Sequence, residues 1–178
     1  GIDTLNGGEG LDTLNVKSDI AIGDITATIS GIETINLESS LAIDSEVSGS
    51  NITGLNTLNV TKATTSATLD AAATTDVNVS GITTGAVSVD GGKNVNVTVA
   101  DTGTNTTIGA TTGAAGTVTV TDAAQAGSAI AVDGGTDVTI TASGNNALTD
   151  TIDVGQAPLP ASPLPTGAVT VSSTGVYA

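Results

Sequence analysis

Nine residues near the start of the chain have the types and spacing to hold a metal ion. Gly7-Gly8-Glu9-Gly10-Leu11-Asp12-Thr13-Leu14-Asn15 fits the nonapeptide G-G-x-G-x-D-x-U-x, in which U is a large aliphatic residue. Gly1-Ile2-Asp3-Thr4-Leu5-Asn6 is the tail of a second unit in register with it. Gly1 matches Gly10, Asp3 matches Asp12, Leu5 matches Leu14 and Asn6 matches Asn15. Glycine adopts positive φ without steric cost, so such turns can aim main-chain carbonyls at a cation. Aspartate adds a hard carboxylate oxygen, which suits Ca²⁺. The spacing predicts calcium held by Gly1, Asp3, Gly8, Gly10 and Asp12, with ligands drawn from the turns of successive repeats. The chain opens inside a unit, so residues 1–16 are expected to be the end of a longer array.

These turns need strands to position them, and short strands recur along the chain. One series is Leu14-Asn15-Val16, Ile35-Asn36-Leu37, Leu58-Asn59-Val60, Val77-Asn78-Val79, Val97-Thr98-Val99, Val118-Thr119-Val120 and Val138-Thr139-Ile140. A second series interleaves with it at Ile20, Leu41, Leu69, Val87, Ile108, Ile130 and Ile152. Two aliphatics flanking a polar or small residue is the period-two pattern of a strand. A fixed period near twenty residues with two strands per period predicts a parallel β-helix, or β-solenoid, over 17–155. Aliphatics would stack inside, and Asn36, Asn59, Asn78, Thr98, Thr119 and Thr139 would form an outward polar ladder. Tandem β-sandwich domains are the alternative, because their strands also recur every eight to twelve residues. Four prolines within 156–166 cannot donate to a ladder and predict a linker or a flanking loop. Residues 167–178 return to Val-Thr alternation, as the start of a following β unit or a last coil.

A second candidate set follows the second strand series. Asp44, Asp70, Asp90 and Asp133 each come directly after an aliphatic residue. Aspartates stacked at one turn could bind calcium. They could equally form a turn ladder in which each carboxylate accepts main-chain N–H groups.

Composition narrows the function classes. Lys17, Lys62 and Lys93 are the basic residues, against 18 acidic ones, for a net charge of −15. Nucleic-acid binding needs a cationic face and is excluded as an expectation. Copies of so acidic a chain repel one another unless cations intervene. Histidine and cysteine are absent, so an ordinary nucleophile–base pair cannot be assembled and no enzyme is expected. No apolar run has the length of a membrane span.

Gly7–Asn15, the segment Gly31-Ile32-Glu33-Thr34-Ile35-Asn36-Leu37 and the Thr/Val/Ala/Gly-rich coils resemble bacterial surface-layer and large surface proteins of the repeats-in-toxin class. The resemblance implies type I secretion to the cell surface, calcium-dependent folding outside the cell, and assembly of copies into a coat or filament. The expected function is a structural extracellular scaffold whose cofactor is Ca²⁺ and whose partner is itself, with a cell-surface glycan as a further partner. An adhesin stalk, or a glycan- or ice-binding solenoid module, is the alternative.

Overall fold

A computed structural model describes residues 3–18, 27–39, 43–46, 51–62, 66–82, 85–100, 105–123, 128–143, 151–155 and 163–174. In chain order the strands begin β1 Thr4–Asn6, β2 Thr13–Ser18, β3 Thr28–Ser30, β4 Thr34–Ser39, β5 Ile43–Glu46 and β6 Ile52–Thr53. They continue β7 Thr57–Lys62, β8 Ala67–Ala71, β9 Asp76–Ile82, β10 Val87–Gly91, β11 Val95–Val99 and β12 Thr106–Ile108. The last are β13 Val118–Asp122, β14 Ile130–Val132, β15 Val138–Ala142, β16 Ile152–Val154 and β17 Val169–Ser173. There is no helix among the described residues, hence none long and apolar enough to cross a membrane.

The strands form three sheets. Eight belong to one, in the order β17-β15-β13-β11-β9-β7-β4-β2. Six form a second, β16-β14-β12-β10-β8-β5, and three form a third, β1-β3-β6. Neighbours in each sheet lie one coil apart in sequence, and the pairings are parallel. The chain therefore winds as a parallel β-solenoid. Tandem sandwiches are ruled out, because their sheets are antiparallel. β2 starts inside the nonapeptide segment and β17 lies beyond the proline-rich one, yet both belong to the eight-stranded sheet.

Alternation along each strand builds the core. In the eight-stranded sheet one inward column runs Leu14, Ile35, Leu58, Val77, Val95, Val118, Val138 and Val169. A second runs Val16, Leu37, Val60, Val79, Val97, Val120, Ile140 and Val171. The six-stranded sheet answers with Leu69, Val89, Ile108 and Val132, all buried. Each buried Val, Leu or Ile contributes about 1.5–3 kcal/mol of transfer free energy. Five polar residues are buried among the described ones, Thr75, Thr106, Asp122, Ser128 and Asp133. Asp122 continues the inward column of Val99 and is buried, and the hydroxyls of Thr106 and Ser128 are buried without a hydrogen-bond partner.

The register of the sheet corrects one strand of the first series. The repeat unit there is Val95-Asn96-Val97, which pairs with Val77-Asn78-Val79, so Asn96 takes the ladder place expected of Thr98. The stretch Val-Asn-Val-Thr-Val offers two placements two residues apart, and both bury valines.

Coil length varies at the corners. From the third coil on, the third sheet gives way to tight turns. Gly91-Gly92 has φ of 73° and 83°, and Gly134-Gly135 has 80° and 87°. A Cβ on Gly91 would also collide with the Ala71 carbonyl one coil below. In the last coil the end of the proline-rich segment lies against the Gly134-Gly135 corner, where Thr166 N–H donates to the Gly135 carbonyl at 3.0 Å.

Leu58 is fully buried in the middle of an inward column, whereas Leu11 is 90% exposed. Leu58→Ala is expected to cost about 2–5 kcal/mol in urea unfolding. Leu11→Ala should stay within about 0.5 kcal/mol of the parent. Equal effects would contradict the inward columns.

Candidate functional site

The N-terminal motif folds as a turn between two sheets. β1 and β2 begin inside the two motif units, and they belong to the three-stranded and eight-stranded sheets respectively. Gly8 and Gly10 make the turn between them, with φ of 98° and 123°. Asn6 Oδ1 accepts the Gly8 N–H at 3.0 Å, and Gly7 N–H donates to the Ser30 carbonyl one coil on. Asp3 is exposed and precedes β1, while Asp12 precedes β2, so the two motif aspartates open strands in different sheets. Gly1 lies outside the described residues.

Across the coils, the neighbour of Asp12 is Glu33, because Thr13 pairs with Thr34. Glu33 Oε2 accepts the Asp12 N–H at 2.8 Å. This places a second carboxylate beside Asp12. The Asp12 Oδ2 atom is buried and has no hydrogen-bond partner. A buried carboxylate oxygen left without a donor costs free energy unless something positive meets it. Asp12 and Glu33 thus bring two carboxylates together beside the glycine turn. Ca²⁺ takes six to eight oxygens, so further ligands from other turns or water are required. Among the described residues, no group of three or more acidic, histidine or cysteine side chains is placed to hold a metal.

Of the second aspartate set, Asp70, Asp90 and Asp133 share one column, interrupted at Gly109, and Asp44 falls outside it. Asp70 and Asp90 are in register on adjacent strands. Asp44 pairs instead with Thr68, and Glu46 occupies the position beside Asp70. Ile108 pairs with both Val89 and Val132, which puts Gly109 between Asp90 and Asp133. The cause at Asp44 is uneven coil length, which the local sequence does not carry. Asp90 Oδ1 accepts main-chain N–H groups of Thr111 at 2.7 Å and Thr112 at 3.2 Å. Its carboxylate therefore fastens the next coil. Asp133 is buried, and its N–H donates to the Ile108 carbonyl at 2.8 Å.

The side chains that do most to tie coil to coil stand one place before each strand's first inward aliphatic. In the eight-stranded sheet they are Thr13, Thr34, Thr57, Asp76, Asn94, Thr117 and Asp137. Asp76 Oδ1 accepts from Asn94 N–H at 3.3 Å and Asn94 Nδ2 at 2.8 Å. Asn94 Oδ1 in turn accepts from the N–H and the hydroxyl of Thr117, both at 3.0 Å. Asp137 Oδ1 accepts from Ala168 N–H at 2.7 Å. Asn105 does the same in the six-stranded sheet, accepting from Ala129 N–H at 2.9 Å. The signal in the sequence is a short polar residue directly before seven of the eight aliphatic triplets of this sheet, Ala168 being the exception. Two overlapping triplets, from Val95 and from Val97, obscure it at Asn94.

Next to this column runs an amide ladder on the outward face. Asn36 Nδ2 donates to Asn15 Oδ1, Asn59 to Asn36 and Asn78 to Asn59, at 2.8, 2.8 and 2.9 Å. Stacked identical amides on parallel strands satisfy each other in this way. The residues that continue the column are Asn96, Thr119, Thr139 and Thr170.

No protein-family model matches the chain, and no curated protein matches it.

Asp76→Ala removes an acceptor for two donors and is expected to cost about 1–2 kcal/mol, whereas Asp76→Asn retains an Oδ1 and should cost under about 0.5 kcal/mol. Chemical denaturation of both variants checks this. Equal losses would mean that charge, not the hydrogen bonds, is what Asp76 supplies.

Proposed function

We propose that the protein is a structural scaffold of the bacterial cell surface, ordered by calcium and able to associate with copies of itself. The observation that carries this reading is the run of eight parallel rungs that repeat one inward and one outward pattern. Such a rod offers the same contact again at every coil, which is what a lattice or filament requires of its unit. Small Thr, Asn and Ser side chains cover the outward strand face, which gives a surface that another copy can approach closely.

Charge makes that approach depend on cations. With 18 acidic residues against three lysines, two copies repel. Lys17 and Glu38 pair at 3.1 Å across adjacent rungs, but both are well exposed and contribute little. Divalent cations would relieve the repulsion between copies. At the glycine turn, Asp12 and Glu33 would hold Ca²⁺ together with main-chain carbonyls, and the ion would satisfy the buried Asp12 Oδ2. The ion supplies local positive charge and an ordered turn, and no bond-making chemistry is assigned to it. At millimolar calcium, a site with a Kd of 0.1–1 mM, as in extracellular modules, adds about 0.4–1.4 kcal/mol of stability.

Chelation is therefore expected to lower the unfolding midpoint and to reduce the effect of calcium in Asp12→Ala relative to the parent. Circular dichroism with and without chelator measures the first, and a calcium titration of thermal unfolding measures the second. Electron microscopy tests assembly: sheets or filaments that dissolve on chelation support the scaffold. Isolated rods that persist in both conditions sink it and favour an adhesin stalk.

A further inference from the structure

The amide ladder stops where the outward face becomes concave. Asn78 and Asn96 are in register, like the Asn pairs before them, yet Asn96 Nδ2 does not continue the chain of amide bonds that ends at Asn78. At that point an open depression of about 390 Å³ is lined by Asp76, Asn78, Asn94, Asn96, Thr117 and Thr119, with Thr57 at its edge and Val95 in its floor. Its size is at the small end of ligand clefts, which span about 300–1,000 Å³. Asp76 and Asn94 spend their Oδ1 atoms along the stack, on the next coil's donors. The Asp76 Oδ2, the Asn78 Oδ1, the Asn96 amide and the Thr119 hydroxyl make no hydrogen bond among the described residues. They come from two neighbouring columns and three successive rungs, and the ladder holds their spacing.

We infer that this depression binds a neutral sugar, as a terminal or internal unit of a glycan. The depression mixes acceptors (a carboxylate and an amide oxygen) with donors (an amide nitrogen and hydroxyls). Vicinal sugar hydroxyls each donate and accept, and they match such a set. A cation fits less well, since one carboxylate is present, half of it is already engaged, and amide and hydroxyl donors share the space. An anionic ligand meets a protein of charge −15 with no basic residue in the lining. The lining has no aromatic ring for stacking, so affinity is in the millimolar range and becomes useful when many copies act together. This inference does not rest on the scaffold reading.

Saturation-transfer-difference NMR of the protein with maltotriose, cellotriose and mannotriose tests it, with trigalacturonate as the anionic comparison. Saturation transfer to at least one neutral trisaccharide is expected, and none to trigalacturonate. Asn96→Ala removes an exposed amide that the fold does not use, and it should weaken the signal about fivefold, the worth of one or two hydrogen bonds. Thr141→Ala, on the same sheet two rungs away, should leave it unchanged. No transfer to any of the three neutral sugars, an undiminished signal in Asn96→Ala, or equal transfer to trigalacturonate would each overturn the assignment.

Discussion

Everything in this molecule depends on register between neighbouring rungs. Each strand inside a sheet is hydrogen-bonded to the strand one coil earlier and the strand one coil later, and the core consists of whatever those strands turn inward. A slip of one residue would bring Asn59 inside and Leu58 out, and would do the same to each column of the coil. Two devices oppose it. The inward aliphatics from Ile35 to Ile140 are fully buried in the observed register, and a slip would expose them. Asp76, Asn94 and Asp137, which open their rungs, reach along the stack and accept main-chain N–H groups of the next coil, which fixes where that strand begins.

The period and the alternation were legible because they are repeated: each coil presents two aliphatics around a small polar residue, and strict parallel pairing follows from a period too long for hairpins. What was not legible was the exact placement where a strand offers two equivalent choices. Val95-Asn96-Val97 and Val97-Thr98-Val99 both satisfy the alternation, and the sequence holds no local reason to prefer one. The decision comes from Asn94, whose side chain must lie against Asp76 below and Thr117 above. Asp44 falls out of line with Asp70 and Asp90 for a related reason. A coil of different length separates it from them, so equal local context does not mean equal position on the stack. Asp90-Gly91-Gly92 and Asp133-Gly134-Gly135 are the same tripeptide, but its use as a corner follows only from left-handed glycine conformations and the close passage of the coil beneath.

The nonapeptide at the N-terminal turn shows how far short motifs carry. Its glycines do form a left-handed turn, and its Asp12 does end with an unsatisfied oxygen. The partner carboxylate that the fold brings to Asp12 is Glu33, from a segment that is not part of the nonapeptide. Coil-to-coil adjacency supplied that residue, and spacing within one repeat could not have pointed to it.

The rungs also set how the molecule responds to force. Its inter-strand hydrogen bonds point along the axis of the stack, and each coil is bonded only to its two neighbours. Tension applied along that axis loads the rungs in series, so the end rung opens first and its whole coil is released before the next is strained. A coil of about twenty residues extends to about 70 Å. Under load the rod would lengthen in whole-coil increments and rewind one coil at a time, in the manner of an extensible tether.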